Sequence, residues 1–128
     1  MKKPSAAITA VHSVAPQKVL SNQDLEKMVD TSDEWIVSRT GIKERRIVDN
    51  GQTLSDMGSE IVIQICKKRG ISPLEIDMVI VGTVTADHRF PSTSNIICDK
   101  SGATNAWGFD LSAACSGFIY TLITGQQL

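Results

Sequence analysis

Hydrophobic and polar positions alternate along the chain in a pattern that predicts three strands separated by helices. A mostly apolar, β-rich run at Ala6–Val14 predicts a central strand. Nearly continuous apolar runs at Ile76–Val84 and Trp107–Leu111 are typical of buried parallel strands. Apolar residues recur at spacings of three and four over Leu54–Ile65, which indicates an amphipathic helix. This alternation predicts an α/β fold with a mostly parallel sheet and helices on both of its faces.

Capping residues predict where the helices begin and end. Ser21 and Asp24 are typical of the start of a short helix, and Thr31 or Ser32 can begin a second helix that Gly41 ends. The other predicted boundaries are Thr53 and Gly70 around the amphipathic helix, Pro73 in a short helical turn, Pro91 and Gly102 around the next helix, and residues 116–128 for the last helix. Turns or solvated segments are predicted at Pro16, Lys18, Lys43–Arg46 and Asp49–Gly51.

Cys115 lies where a predicted strand gives way to a predicted helix. The small residues Ser112–Ala114 permit a sharp turn before it, and Gly117 permits another element to pack closely after it. Free N–H groups at a helix start favour the thiolate, which is the nucleophilic form of cysteine. The spacing is similar to the strand–turn–helix elbow of hydrolases. The alternative is that Cys115 is a small buried hydrophobic residue, as many free cysteines are.

Trp35 and Arg39 are four residues apart on a predicted helix, so they share one of its faces. A flat aromatic ring beside a guanidinium suits a nucleotide-bearing ligand, which needs a stacking surface and a cation for its phosphate. The basic Lys43–Arg46 cluster could extend that phosphate patch. The alternative places Trp35 in the core and Arg39 in a surface ion pair.

Composition excludes several classes of function. The formal net charge of −1 over 128 residues gives no basis for nucleic-acid or membrane binding. The three cysteines form no CxxC pair and have no metal-ligand spacing, and an odd count fits a reducing cytoplasm. The apolar run after Lys2 and Lys3 is too short for a signal sequence, and no run approaches the length of a membrane span.

The two histidines are weak candidates for catalysis. His12 falls within or just after the first predicted strand, where a structural role is the simpler interpretation. His88 lies in a polar loop that follows a predicted parallel strand, and ligand-contacting residues are often found in such loops. His88 could therefore act as a base, or it could be an exposed loop residue with no role.

Two motifs together resemble the β-ketoacyl-acyl-carrier-protein synthase III family, whose thiolase-fold enzymes start bacterial fatty-acid synthesis. The motifs are Val29–Arg46 and Phe109–Phe118, with Phe90, Pro91 and Ser92 between them. The similarity runs from about Ile8 to Leu128. It implies a layered α/β/α half with a mixed, mostly parallel sheet.

The resemblance also implies roles for particular residues. Cys115 matches the nucleophile that takes an acyl group from acyl-CoA, and acyl-carrier protein then brings the second substrate. Trp35 and Arg39 match residues on the two sides of the CoA adenine, and Thr31 matches a contact to the same nucleotide. Phe90 matches a residue that reaches across a homodimer to shape the primer pocket. The resemblance implies no cofactor and no metal, because the CoA thioester is itself a substrate.

The resemblance covers only the first half of the family fold. The family's catalytic histidine and asparagine belong to the second half, and neither His12 nor His88 matches their motifs. We therefore expect residues 1–128 to be an N-terminal thiolase-like half-domain that retains the cysteine and cannot condense alone. Two alternatives stay open. One is another thiolase-fold synthase, such as a hydroxymethylglutaryl-CoA synthase or a secondary-metabolite starter synthase. The other is an inactive half that serves in binding or assembly, suggested by the abrupt end at Leu128.

Overall fold

The structure, a computed structural model, describes residues 6–128, and they fall into two compact units. The smaller unit is Ala15–Gln52, and the larger unit joins the residues up to Val14 to Thr53–Leu128. The basic start of the chain, considered above as part of a signal sequence, lies outside the described residues. The assignment of residues 1–128 to one half-domain of the family fold stays a prediction.

The smaller unit pairs two short strands around two helices. The strands pair antiparallel, with Lys18 opposite Ile47 and Ser21 opposite Glu44. The elements are β1 (Lys18–Ser21), α1 (Asn22–Glu26), α2 (Asp33–Thr40) and β2 (Glu44–Ile47). The prediction of a turn at Lys18 was therefore wrong, because Lys18 begins β1. Lys43, Glu44 and Arg46 are exposed, as a solvated segment predicts, although the backbone of Glu44–Ile47 is paired in β2.

The predicted helix starts in the smaller unit are confirmed. Ser21 caps α1 in a capping box with Asp24. Hydrogen bonds from Ser21 and then from Lys27 lower the pKa of Asp24 to about 2. Ser32 caps α2 by accepting from the Trp35 N–H at 3.1 Å, so Ser32 and not Thr31 begins this helix.

The larger unit is built on two parallel strands, with Met78 opposite Trp107 and Gly82 opposite Leu111. Its elements are α3 (Leu54–Arg69), β3 (Met78–Gly82), α4 (Thr93–Ser101), β4 (Trp107–Leu111) and α5 (Gly117–Gln127), with short 3₁₀ helices at Pro73–Glu75 and Ala114–Ser116. Ser92, rather than Pro91, caps α4, so this helix starts two residues later than predicted. The described helices all lack the length and apolarity needed to cross a bilayer.

Helices cover both faces of the parallel pair, as predicted. A Cβ placed on Gly108 would meet Ser94 of α4, whereas one placed on Gly82 would meet Gly117 and Thr121 of α5. Gly82 lies opposite Leu111, which is three residues after Gly108 on β4. Since successive side chains of a strand point to opposite faces, the two glycines face opposite sides of the pair. The helix α4 therefore covers one face and α5 covers the other, which is the layered arrangement expected of an α/β fold.

The prediction of a central strand at Ala6–Val14 was wrong for this structure. Residues 6–16 have no assigned strand or helix, although Lys68 of α3 donates a hydrogen bond to the Val11 carbonyl at 2.8 Å. Apolar, β-branched composition favours an extended chain, but a strand also requires a neighbouring backbone to pair with. Sequence composition records only the first of these requirements.

The core of the larger unit lies between α3 and α4. Cys66, Ile97 and Cys98 are buried there. The two helices approach closely at Gly58, where an added Cβ would clash with the Ile97 side chain. Lys100 of α4 also donates to Asp56 of α3 at 2.7 Å, so packing and charge join the same two helices.

Candidate functional site

Cys115 lies on a sharp turn between β4 and α5. The residue before it, Ala114, has φ of 44°, the only positive φ of a residue other than glycine within residues 6–128. A left-handed backbone at a residue with a Cβ costs about 1–3 kcal/mol and persists where the surroundings impose it. The thiol of Cys115 is exposed, whereas those of Cys66 and Cys98 are buried. The elbow predicted from the small residues is therefore present, and the alternative of a buried cysteine is wrong.

The turn is closed by hydrogen bonds and by close packing against β3. Ser116 N–H donates to the Ala113 carbonyl at 3.0 Å. Gly82 of β3 faces the start of α5, and a Cβ on Gly82 would lie 3.2 Å from the Gly117 carbonyl carbon. A Cβ on Gly117 would find ordinary contacts at 3.7 Å or more. Gly82, more than Gly117, is therefore the glycine that permits this close approach.

Cys115 lies in the 3₁₀ turn Ala114–Ser116, which leads directly into α5. Within the described residues, no side chain caps this helix, in contrast to α3 and α4. Uncapped N–H groups carry partial positive charge and can donate to an oxyanion. A nucleophilic thiol beside such donors is suited to attack on a thioester carbonyl.

A cleft of about 610 Å³ reaches the same turn through Ser112. Its lining includes His88 and Arg89, both of which are exposed, and the carboxylates of Asp87 and Asp110. His88 therefore borders the cleft, but no described contact joins it to the thiol. His12 is half-buried and is absent from this lining.

Sequence analysis missed the two carboxylates, Asp87 and Asp110. Each binds two successive backbone N–H groups at the start of a helix. Asp87 accepts from Leu54 and Ser55 at 2.9 Å each, and Asp110 accepts from Thr93 at 2.7 Å and Ser94 at 2.9 Å. The available signal for Asp110 was an acidic residue inside an apolar strand, since such a group requires a partner.

The two hydrogen bonds to Asp87 also change its ionisation. Burial of the carboxyl acts to raise its pKa, but hydrogen bonds from Ser55 and then Leu54 outweigh burial, so the pKa is lowered. The negative charge of Asp87 is thereby held at the positive end of α3. Asp87 is thus a charged cap supplied from a distant loop.

Trp35 and Arg39 meet on one face of α2, as their spacing predicts. The Arg39 guanidinium carbon lies 4.8 Å from the centre of the Trp35 ring. Trp35 is 55% exposed, so the interpretation that places it in the core is wrong. Arg39 has no ion pair among the described residues, so its surface ion pair is not present either. The pair offers solvent an aromatic face and a cation.

Thr31 borders the same aromatic side chain. Together with Val29, Asp30 and Ser32, it lines a cleft of about 550 Å³ that reaches Trp35. The smaller unit therefore brings Thr31, Trp35 and Arg39 into one neighbourhood.

Phe90 lies in the larger unit, in the loop that leads to α4. Its side chain is 88% exposed, and its peptide bond to Pro91 is cis. Phe90 and Cys115 thus share one unit, and the three residues predicted to bind CoA share the other.

Comparisons with known proteins show what the chain is similar to. No protein-family model matches it. The β-ketoacyl-[acyl-carrier-protein] synthase III of Chlorobaculum tepidum is 54% identical over 123 residues, which are 95% of this chain and 37% of the relative. This chain matches the N-terminal part of a β-ketoacyl-[acyl-carrier-protein] synthase III. It spans little more than a third of the length of that relative.

Solved structures of related synthases are also similar to the chain. The crystal structure of 3-oxoacyl-[acyl-carrier-protein] synthase III from Aquifex aeolicus VF5 matches at 47% identity with a TM-score of 0.83, over 87% of this chain and 36% of that one. The priming β-ketosynthase from the R1128 polyketide biosynthetic pathway matches at 39% identity with a TM-score of 0.86, over 91% and 35%. The α/β arrangement of β3, β4 and their helices is therefore that of the synthase III fold, as the motifs implied.

Proposed function

We propose that this chain carries the acyl-accepting cysteine of a condensing enzyme that initiates type II fatty-acid synthesis. The observation that carries the proposal is the exposed thiol of Cys115 on a left-handed turn at the uncapped start of α5. The 54% identity to a synthase III supports it. The proposal places the reaction in the cytoplasm, where the three free cysteines of the chain would stay reduced.

In the first step, the Cys115 thiolate attacks the carbonyl carbon of an acyl-CoA thioester. A new carbon–sulfur bond forms, the bond to the CoA sulfur breaks, and CoA leaves as its thiolate and takes up a proton. Backbone N–H groups near Cys115 would stabilise the oxyanion of the tetrahedral intermediate. Splitting the overall reaction at an acyl-cysteine replaces one difficult step with two easier ones.

In the second step, malonyl-acyl-carrier protein loses carbon dioxide, and the resulting carbanion attacks the acyl-cysteine. The new carbon–carbon bond forms as the bond to Cys115 breaks, which returns the thiolate. We assign the donors for decarboxylation to a histidine and an asparagine in a C-terminal half, as the family resemblance implies. Homodimer formation would bring Phe90 to the primer pocket of the other subunit, and its 88% exposure leaves it free for such a contact.

CoA recognition is assigned to Thr31, Trp35 and Arg39. The adenine would stack on the exposed Trp35 ring, and Thr31 would contact the nucleotide in the adjoining cleft. Arg39 now covers the ring at 4.8 Å, so its guanidinium must swing outward to admit a base between the two. The cation–π contact at an exposed site is worth only about 0.5–1 kcal/mol, which a stacked base can replace.

Two substitutions separate chemistry from binding. Cys115→Ser should abolish transfer of an acyl group from acetyl-CoA and spare CoA binding, because a serine hydroxyl is a far weaker nucleophile than a thiolate. Trp35→Ala should weaken CoA binding by about 1–3 kcal/mol, the value of one base stacked on an aromatic ring. Intact-mass spectrometry measures the adduct, and calorimetric titration measures CoA binding.

Circular dichroism of both variants is the control for folding. Equal loss of transfer and binding in both variants would indicate misfolding. An acyl adduct on Cys115→Ser, or unchanged binding by Trp35→Ala, would contradict the assigned role of that residue. If neither an adduct nor CoA binding is found for the unsubstituted chain, the remaining explanation is a half that serves only in binding or assembly.

The match to the R1128 priming β-ketosynthase supports a second candidate, a starter synthase of secondary metabolism. The two functions differ in the primer and in the carrier protein. A pocket discriminates one methylene from the next by only about 1–3 kcal/mol, so both the primer and the carrier protein have to be tested. Acyl-CoA substrates of increasing length, offered with fatty-acid or polyketide carrier proteins, would separate them. Condensation with acetoacetyl-CoA in place of malonyl-carrier protein would instead indicate a hydroxymethylglutaryl-CoA synthase.

A further inference from the structure

Asp110 is a carboxylate on the strand that leads to Cys115, and both of its oxygens are bound. It lies in β4, and it accepts hydrogen bonds from Thr93 and Ser94, the first two residues of α4, at 2.7 and 2.9 Å. Charge-assisted hydrogen bonds of this kind are short and directional, and the helix dipole favours a negative charge at this position. The end of β4 is therefore fixed against the start of α4.

The segment between Asp110 and Cys115 contains the left-handed turn. Ala114, with φ of 44°, immediately precedes the cysteine, and such a conformation persists only where flanking contacts impose it. After the turn, α5 packs with Gly117 against Gly82 of β3. Before the turn, Thr83 N–H donates to the Leu111 carbonyl at 3.1 Å, and the Asp110 hydrogen bonds hold the neighbouring position. The turn is thus held at both ends.

We propose that Asp110 is a positioning residue for Cys115. By fixing the end of β4 to α4, it holds the turn at Ala114 in the conformation that places the thiol at the start of α5. The proposal rests on the proposed function of Cys115, and it adds a residue that acts on the thiol through the backbone and does not touch the acyl group.

Asp87 provides a matched control within the same unit. It binds two successive N–H groups at a helix start, those of Leu54 and Ser55, at 2.9 Å each. Asp87 lies in the loop after β3, however, and not on the strand that leads to Cys115. Loss of either carboxylate should remove hydrogen bonds from a helix start in the same way. Only loss of Asp110 should change the position of the Cys115 thiol.

The test is the rate at which iodoacetamide alkylates Cys115 in the native chain, measured across a range of pH. Asp110→Asn keeps the shape of the side chain but leaves one acceptor oxygen where there were two, so one helix N–H loses its partner. The turn should relax, and the thiol should lose its fixed, exposed position at the start of α5, which should slow alkylation at neutral pH by about threefold or more. Asp87→Asn should stay within about 1.5-fold of the unsubstituted chain.

The other two cysteines report whether each variant is folded. Cys66 is 2% exposed and Cys98 is 5% exposed, so the folded chain should take up one alkyl group and an unfolded chain three. A rate unchanged or raised in Asp110→Asn would overturn the proposal, and so would equal slowing in both variants. The assay needs no acyl-CoA, so failure of the unsubstituted chain in acyl transfer would count against the proposed function alone.

A second variant tests whether Asp110 acts through the turn. The same variant provides the test if Asp110→Asn takes up three alkyl groups and is therefore unfolded. Glycine adopts the left-handed conformation without strain, so Ala114→Gly removes the need to impose it. In that background, adding Asp110→Asn should change the alkylation rate by less than about 1.5-fold. An undiminished effect in the Ala114→Gly background would overturn the proposal.

Discussion

Asn22 is a buried polar residue on which several hydrogen bonds of the smaller unit converge. Its side chain is fully buried, and its amide nitrogen donates to Asp33 at 2.7 Å and to the Ile42 carbonyl at 2.8 Å. Its amide oxygen accepts from Arg45 at 2.7 Å. One side chain therefore joins α1 to α2 and β2, the elements that position Trp35.

Asn22→Ala should lower the free energy of unfolding by about 2–4 kcal/mol, because it removes the three hydrogen bonds that this buried side chain makes to Asp33, Ile42 and Arg45. Urea unfolding followed by tryptophan fluorescence measures the change. The matched control is Gln23→Ala at the exposed neighbouring position, which should change stability by about 0.5 kcal/mol or less. Equal effects of the two substitutions would contradict a central role for Asn22.

Asp87 makes the stability of the larger unit depend on pH. Its pKa is lowered in the folded state, so its contribution is complete above the ordinary carboxyl pKa of about 4 and is lost as pH falls through the lowered value. The thermal midpoint of Asp87→Asn should lie below that of the unsubstituted chain at neutral pH, with the gap narrowing in acid. A gap that stays constant with pH would contradict this account.

Local signals predicted more of the site than long-range contacts did. The meeting of Trp35 and Arg39 followed from their spacing on one helix, and the exposed elbow at Cys115 followed from the small residues before it. Asn22 and Asp110 were missed because their partners lie far away in sequence. A pattern of hydrophobic positions records burial, and it does not record which backbone group a buried polar atom will meet.

At the scale of elements, the glycine in β4 sets how closely the strand can lie to its neighbours. A Cβ placed on Gly108 would lie 2.5 Å from the Val79 carbonyl oxygen and 2.9 Å from the Ser94 Cβ. Both contacts are too short. The first is with a backbone atom and the second is with a Cβ, so neither can be relieved by rotating a flexible side chain.

Gly108→Ala should therefore destabilise the larger unit by about 1–3 kcal/mol, the usual effect of overpacking. Gly117→Ala is the control, since its added Cβ would find contacts at 3.7 Å or more. Denaturant midpoints of the two variants measure the difference. A Gly117→Ala variant as unstable as Gly108→Ala would show that the close approach between β4 and α4 does not limit stability.

Helices were predicted better than strands, because the signals for a helix are local in sequence and strand pairing is not. Thr53 and Gly70 bound α3 as predicted, because these two capping residues are next to the helix ends in the sequence. Pairing of β1 with β2 joins positions that are far apart in sequence, and the apolar stretch at Ala6–Val14 found no partner. Strand formation depends on a neighbour that the strand's own residues do not specify.

At the scale of the whole molecule, α5 presents an apolar face to solvent. Phe118 is 67% exposed, and Ile119 and Ile123 are 51% and 52% exposed. Contiguous apolar surface of this kind is characteristic of a face that packs against other protein. The proposed C-terminal half would cover such a surface, since the chain spans 37% of the length of its synthase III relative.

The chain on its own should therefore self-associate. Replacing Ile119 and Ile123 together with lysine should shift its elution in size-exclusion chromatography towards the monomer, because like charges on the face oppose association. Leu74→Lys, at a residue 51% exposed outside α5, is the control and should leave elution unchanged. Monomeric elution of the unsubstituted chain would contradict the prediction.

The smaller unit interrupts the larger one along the chain, since residues up to Val14 and from Thr53 onward belong together. The pairing of β1 with β2 places Lys18 opposite Ile47, so the chain leaves the smaller unit beside the point at which it entered. The entropy of loop closure grows with loop length, and this pairing shortens the effective loop between the two parts of the larger unit from about forty residues to about ten. A folding route in which β1 and β2 pair first therefore recruits the amino-terminal segment at a lower entropic cost.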